Sequence, residues 1–544
     1  MRNYTDGMTL EEQMGQVLMA GFWGSTPSQE IIDLIQHHHV GNIILFSRNV
    51  HDTSQLLELT QSLQRIAKEA GHRYPLLIAI DQENGIVQRL GKAGTILPGN
   101  MALGAIGSQE IAYKVALATG NELKALGINM NLAPVLDVNN NPANPVIGVR
   151  SFGEDPQQVA RLGAAMVEGY HAAGILCSLK HFPGHGDTTV DSHLALPTIP
   201  HTLERLETVE LVPFRGGLAV GAESVMIAHV SLPALAGDAA LPATLSSAIV
   251  QGLLRERLGF NGVILSDCLE MKAISETFGT EQAAVMALKA GIDLVLVSHH
   301  YTQQQGSIEA LKAAVLGREL STQVIRQAAD RVLHLKARHL SWDDLTTSTT
   351  LPVSIGREAH LQLQNQAYEL STTLVRNEDS LLPLRVDSGE RIVVLSPQRN
   401  STTMVEDRYY SDDVLADIIE QCHVPVKILS VATGTLEDAN SKLLQTTGES
   451  DTIIVATVNA HLDERQAELV RYLILSGRRT IGIAVRNPYD LLAFPQLHTY
   501  LVTYEYTRPA LVAAVRVLFG EKQARGHLPV SIPGLHPRVP LIDN

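Results

Sequence analysis

The chain has 544 residues, 45% of them hydrophobic and 18% charged, with a formal net charge of -15. That length exceeds one ordinary domain, and the composition builds a water-soluble globular protein with ample core rather than a disordered one. The acidic balance, without long Lys/Arg runs, argues against nucleic acid or an anionic membrane surface as partner.

Residues 1–8 lack the basic start and apolar core of a secretory signal, and no later stretch reaches the ~18 apolar residues of a membrane span. A cytoplasmic protein is therefore expected. Cys177, Cys268 and Cys422 are too widely spaced for a disulfide framework or a metal knuckle, which fits a reducing compartment.

Thr9, with Glu12 three residues on, marks a capped helix start. Short β-type apolar runs then recur at 17–22, 40–46, 75–81, 128–137, 175–181, 224–230, 262–267 and 292–297, with helical stretches between them. Strands alternating with amphipathic helices imply right-handed βαβ units and a parallel sheet. Eight such units suggest an α/β fold whose N-terminal part, 1–340, is a TIM-type (β/α)8 barrel; a doubly wound open sheet is the alternative. A barrel places its active site where strands end, and polar residues gather there: Asp81-Gln82-Glu83, Asp137-Val138-Asn139, Lys180-His181, His229 and Asp267.

The polar, Thr-rich stretch 341–355 reads as a linker. Beyond it a helix at 357–370 and strands at 392–396, 426–431, 452–458, 480–485 and 499–504 predict a smaller C-terminal α/β sandwich domain over 356–544. No Gly-rich phosphate loop follows any of these strands, so no dinucleotide or other cofactor is expected.

The stretch Lys180-His181-Phe182-Pro183-Gly184-His185-Gly186-Asp187-Thr188-Thr189-Val190-Asp191-Ser192-His193 joins a buried strand to a loop dense in ionisable groups. Pro183, Gly184 and Gly186 forbid a regular element there, and loops at strand ends commonly carry function. Asp191 and His193 are two apart, so in an extended segment both side chains leave from one side and the carboxylate can hold the imidazole. An ordinary polar turn is the plainer reading. Zinc on His181, His185, Asp187 and His193 is a further one, but the spacings match neither a zinc finger nor a His-Glu-x-x-His helix, and no metal is expected. Asp267 ends a buried strand in a charge, which suits a catalytic carboxylate or the cap of a following helix. His37-His38-His39 and His299-His300 read as exposed loop residues, and His229 as either a pocket group or a satisfied core histidine.

Taken together these motifs resemble glycoside hydrolase family 3, in its β-N-acetylglucosaminidase branch, over almost the whole chain. The 180–193 stretch resembles that branch's signature loop; Asp81-Gln82-Glu83 with Val87-Gln88-Arg89, Arg150-Ser151-Phe152-Gly153-Glu154-Asp155-Pro156 and Ser266-Asp267-Cys268-Leu269-Glu270-Met271 add to it. The resemblance implies a retaining exo-hydrolase acting on a carbohydrate with a terminal β-linked N-acetylglucosamine, with cell-wall fragments as substrates. It implies Asp267 as nucleophile, His193 as acid/base, Asp191 as its orienting carboxylate, and Asp81, Arg89, Arg150, Lys180 and His181 as the sugar-binding groups. A histidine acid/base repels an anionic acceptor less than a carboxylate does, so a phosphorylase is a rival; a β-glucosidase and a carbohydrate-binding protein without turnover are others. The chain departs from the family pattern at Asn84, where Gly is common, at Ile86, where Arg is, and at Cys268, where Asp or Ser is usual. Arg486-Asn487-Pro488-Tyr489-Asp490 and Leu528-Pro529-Val530-Ser531-Ile532-Pro533 resemble the family's C-terminal domain, for which no catalytic contribution is expected.

Overall fold

The computed structural model describes residues 3–343, 345, 355–386, 390–397, 406–407, 410–411, 413–421, 427–433 and 451–538. Its first half contains strands β1 Leu18–Ala20, β2 Asn42–Leu45, β3 Leu77–Ile80, β4 Gln82–Asn84, β5 Val87–Gln88, β6 Met130–Asn131, β7 Leu176–Phe182, β8 Ser224–Ile227, β9 Val263–Cys268 and β10 Leu294–Val297. Strands β4 and β5 form a small antiparallel hairpin, and the other eight close a parallel barrel in the order β1-β10-β9-β8-β7-β6-β3-β2. Each of the eight expected runs supplies one barrel strand, and β1 pairs with β10, which rules out the open sheet. Strand β6 is much shorter than the apolar run at 128–137, because Pro134 brings no N–H to a ladder.

Period-two alternation divides the strand side chains between two cores. Met19, Ile44, Ala79, Met226, Leu265 and Leu296 fill the barrel interior, whereas Leu18, Ile43, Ile78, Val225, Ile264 and Val295 pack outward on the helices. The capped start at Thr9 is present: its Oγ accepts the Glu12 N–H at 3.2 Å, and the Glu12 carboxylate accepts the Thr9 N–H at 2.6 Å.

Within the expected linker, residues 344 and 346–354 lie outside the described residues, as do Cys422 and residue 426 of one expected strand. The second half contains β11 Thr373–Asn377, β12 Arg391–Pro397, β13 Lys427–Thr433, β14 Thr452–Thr457, β15 Arg479–Ala484 and β16 Thr499–Val502. They form one mixed sheet in the order β11-β16-β15-β14-β12-β13, parallel except for the antiparallel edge strand β11. The sequence reading did not separate β11, because an edge strand such as Thr-Leu-Val-Arg-Asn lacks the continuous apolar run of a strand buried on both faces.

One face of this sheet (Val393, Val455, Tyr500) shares a core with Ile86, Met101 and Val149 of the barrel half; the other (Val394, Ile454, Ile483) packs on helices Val414–Gln421 and Arg508–Leu518. The Arg150-to-Pro156 motif helps dock the two halves. Glu154 accepts from Ser531 N and Oγ at 2.9 and 2.6 Å, and a Cβ at Gly153, whose φ is +144, would lie 2.4 Å from the Pro529 carbonyl. Only glycine fits there.

Candidate active site

The C-terminal ends of the barrel strands open into a cavity of about 370 Å³. Asp81, Arg89, Arg150, Lys180, His181, His193 and Asp267 all line it, and Asp191 stands behind His193. Topology explains the gathering: Asp81 follows β3, Arg89 follows the hairpin, Arg150 ends a short 3-10 turn, Lys180 and His181 lie on β7, and Asp267 lies on β9.

The floor is a network of paired charges. Lys180 Nζ reaches Asp81 at 2.6 Å and Glu83 at 2.7 Å, while Arg150 donates to both oxygens of Glu83 at 2.9 and 2.8 Å. Burial would raise the Glu83 carboxyl, but Arg150 and Lys180 hold it well below its ordinary value. Burial likewise opposes the charge on Lys180, and Asp81 and Glu83 overcome it and raise its pKa. His181 Nδ1 lies 2.7 Å from Asp137, and its Nε2 lies 3.3 Å from Arg150 Nη2. The ring is thus fixed with Nδ1–H toward Asp137 and a lone pair toward the guanidinium, which donates. These groups form a rigid polar wall suited to ring hydroxyls.

His193 and Asp191 meet, but in a tight turn rather than an extended segment. Asp191 Oδ1 accepts both the His193 backbone N–H at 2.9 Å and Nδ1–H at 2.8 Å, which leaves Nε2 for the cavity. Burial would raise the Asp191 carboxyl, and the His193 contacts outweigh it and lower it. The loop around the pair is pinned from behind: Asn144 Nδ2 donates to the carbonyls of His185 and Gly186 at 2.9 Å each, and a Cβ at Gly186 would lie 1.7 Å from the Val138 carbonyl. The four groups of the zinc reading go to separate partners: His181 to Asp137, His185 to Thr188 and Ser192, Asp187 to His201, and His193 to Asp191.

Asp267 lies within β9 and caps no helix; its Oδ1 accepts the Cys268 N–H at 2.7 Å. Burial would raise its carboxyl, but the nearby His229, His181 and His193 together with that amide hold it below its ordinary value, so it is ionised at neutral pH. His229 is the satisfied buried histidine of the two readings. Its Nδ1 meets Thr244 at 2.7 Å and its Nε2 the Cys268 carbonyl at 2.9 Å, behind the Asp267 backbone.

Further residues belong to the wall. His299, expected to be an exposed loop residue, lines the cavity, its ring tilted against that of Phe46 with centroids 5.2 Å apart; His300 beside it is exposed. Trp23, 62% exposed, and Arg48, whose guanidinium lies 4.6 Å from the indole, form the rim. From the second half, Asp407 and Glu406 also line the cavity. Asp407 binds Arg89 Nη1 at 2.6 Å and accepts from Ser47 Oγ at 2.5 Å and Gln88 N at 3.0 Å. The C-terminal part therefore completes the pocket wall, contrary to the expectation that it contributes only architecture. No spacing rule links Asp407 to Arg89 across some 300 residues, so sequence alone held no signal for the pair.

The departures have local explanations. Asn84 sits at φ +68, where Asn is tolerated, and its amide donates to Thr119 at 3.0 Å. Ile86 replaces a charge with a buried contact to the second half, and its carbonyl accepts the Asp407 N–H at 3.0 Å.

Comparison with known proteins agrees with this geometry. Residues 9–335 match the glycosyl hydrolase family 3 N terminal domain, and residues 372–541 its C-terminal domain. The chain belongs to glycosyl hydrolase family 3. It is 32% identical to beta-hexosaminidase A of Pseudoalteromonas piscicida over 93% of this chain and 92% of that one. The solved structure of a family 3 β-N-acetylglucosaminidase from Paenibacillus sp. superposes with a TM-score of 0.91 at 41% identity, covering 97% of this chain and 99% of that one. A fungal multidomain family 3 β-N-acetylglucosaminidase gives 0.91 at 44% identity over 98% of this chain, which spans 62% of that longer protein. The chain is a family 3 glycoside hydrolase. Among the described residues no helix is long and apolar enough to cross a membrane.

Proposed function

We propose that this hydrolase is a retaining exo-β-N-acetylglucosaminidase that removes non-reducing terminal N-acetylglucosamine, with cytoplasmic cell-wall fragments as its substrates. The observation that carries the reading is one polar cavity lined by both an ionised Asp267 and a His193 whose Nδ1 is held by Asp191. The relatives named β-N-acetylglucosaminidase support the sugar.

In the first step the Asp267 carboxylate attacks the anomeric carbon while His193 Nε2–H protonates the departing oxygen; in the second, neutral His193 takes a proton from water, which displaces Asp267. Asp191 stabilises the imidazolium and fixes its orientation; positioned acid/base catalysis of this kind is worth about 10²–10⁴ in rate. Asp81, Arg89, Arg150, Lys180 and His181 hold the terminal sugar, and an analogue lacking a hydroxyl leaves one of these buried groups unpaired. Arg89, Arg150 and Lys180 are each paired with a carboxylate, so none of these three is free to hold a phosphate acceptor.

The test is release of p-nitrophenol from its β-N-acetylglucosaminide by wild type and Asp267→Asn, with and without phosphate, and identification of the sugar product. Free N-acetylglucosamine in both buffers, lost in the variant, is expected. The 1-phosphate would make the enzyme a phosphorylase, and turnover of the glucoside alone would make it a β-glucosidase.

A further inference from the structure

The wall beside Asp267 carries donors that neither sugar binding nor proton transfer uses. Cys268 Sγ, a Glu270 carboxylate oxygen and a His299 ring nitrogen lie within 4.8 Å of one another, and Cys268 and His299 open onto the cavity beside Asp267. We infer that Cys268, His299 and Glu270 bind a thiophilic divalent cation such as Zn²⁺, and that the bound ion inhibits the enzyme. The inhibitory half rests on the glycosidase reading; the site itself does not.

Thiolate, imidazole and carboxylate are the ligand types zinc selects. The geometry fits as well. Cys268 Sγ is 3.6 Å from Glu270 Oε2, close to the edge of roughly 3.5 Å that sulfur and oxygen ligands at about 2.3 and 2.0 Å span on a zinc tetrahedron. The donors are held in place before any ion arrives: Glu270 Oε2 accepts from Ser298 N and His299 N at 2.6 and 2.7 Å, and Oε1 from His300 N and Nδ1 at 2.9 and 2.8 Å. The ion thus takes the place of the Cys268 S–H against Oε2. The buried Ser298 side chain borders the same cavity. Glu270 and the ionised Asp267 place two carboxylates beside the site, with Arg48 near them. Three protein donors on an open wall leave the remaining position to water or to a sugar oxygen. As the sulfur–metal bond forms, the S–H bond breaks and its proton passes to solvent. An ion there occupies sugar space and draws charge from Asp267.

The other such trio among the described residues, His171, Cys177 and Glu223, lies at the opposite end of the barrel, with His171 bonded to Glu223 at 2.8 Å and Cys177 fully buried, and it supplies a control. Titration of the full-length protein with Co²⁺, read by absorbance, is expected to give a thiolate-to-cobalt charge-transfer band. The band should vanish in Cys268→Ser, persist in Cys177→Ser and weaken in His299→Asn. The Zn²⁺ concentration that halves p-nitrophenol release should rise by about 10- to 100-fold in Cys268→Ser relative to that variant's own metal-free rate. Absence of the band in wild type, or its persistence in Cys268→Ser, overturns the site. A band lost in Cys268→Ser beside unchanged zinc sensitivity overturns the inhibitory role and places that inhibition elsewhere, for instance on Asp191 and His193. If wild type releases no p-nitrophenol at all, the glycosidase reading fails while the cobalt band still decides the site.

Discussion

The two halves of the molecule both collect polar groups at the C-terminal ends of parallel strands, and they use them in opposite ways. In the barrel these groups ring an open cavity: Asp81 after β3, Lys180 and His181 on β7, Asp267 on β9. In the second sheet they are covered by the barrel half. Glu505, beyond β16, accepts the Gly99 N–H at 2.6 Å, and His461, beyond β14, meets the Pro142 carbonyl at 3.0 Å. The edge where an open α/β sheet usually binds ligand is thus a docking surface. What the second half returns to the chemistry is Asp407, one buried carboxylate on Arg89.

Substitutions in the two halves are expected to act differently. The largest effect belongs to the barrel: Asp267→Asn is expected to lower kcat/KM by about 10⁴ or more with an unchanged melting temperature, since it removes the nucleophile and leaves the packing. Next, Asp191→Asn should cost about 10²–10⁴ in kcat for an alkyl or sugar leaving group, and much less for 2,4-dinitrophenolate, which leaves without a proton. An equal loss for both leaving groups would show that Asp191 acts on folding or binding rather than through His193.

Asp407→Ala should raise KM by about tenfold and leave kcat within about threefold, because it releases Arg89 from its orientation without touching the reacting atoms. A loss confined to kcat would erase the distinction between a barrel that reacts and a second half that positions.

The smallest effect is on stability. Burial raises the Glu505 carboxyl from 4.5 to about 7, against the pull of the Gly99 amide and the Tyr368 hydroxyl. The folded state therefore keeps a proton that the unfolded chain loses, so its contribution is complete below pH 4.5 and is lost as the pH rises to about 7, on the order of 3 kcal/mol in total. Chemical denaturation at several pH values should show this slope in wild type and not in Glu505→Gln, whose amide reproduces the protonated carboxyl.

Much of this was legible in the sequence because it is local or periodic. Eight apolar runs specify the barrel, and the strand-end residues from Asp81 to Asp267 mark its open end. The Asp191–His193 pair was found for a geometric reason that proved wrong in detail, since a turn and not an extended strand joins them. Asp407, His299 and Trp23 escaped notice because their roles depend on where two distant segments meet. Edge strand β11 escaped because its burial is one-sided. The glycines at 153 and 186 are explained only by the carbonyls of Pro529 and Val138 that press on them.

In the proposed reaction Asp267 becomes covalently bound to the sugar. The most direct measurement is mass spectrometry of peptides from enzyme incubated with a 5-fluoro-N-acetylglucosaminyl fluoride, whose electron-poor ring slows release of the glycosyl-enzyme more than its formation. One added fluorinated N-acetylglucosaminyl unit, on the peptide that contains Asp267, is expected; an adduct on another carboxylate such as Asp81, or inactivation without any adduct, would show that Asp267 is not the nucleophile.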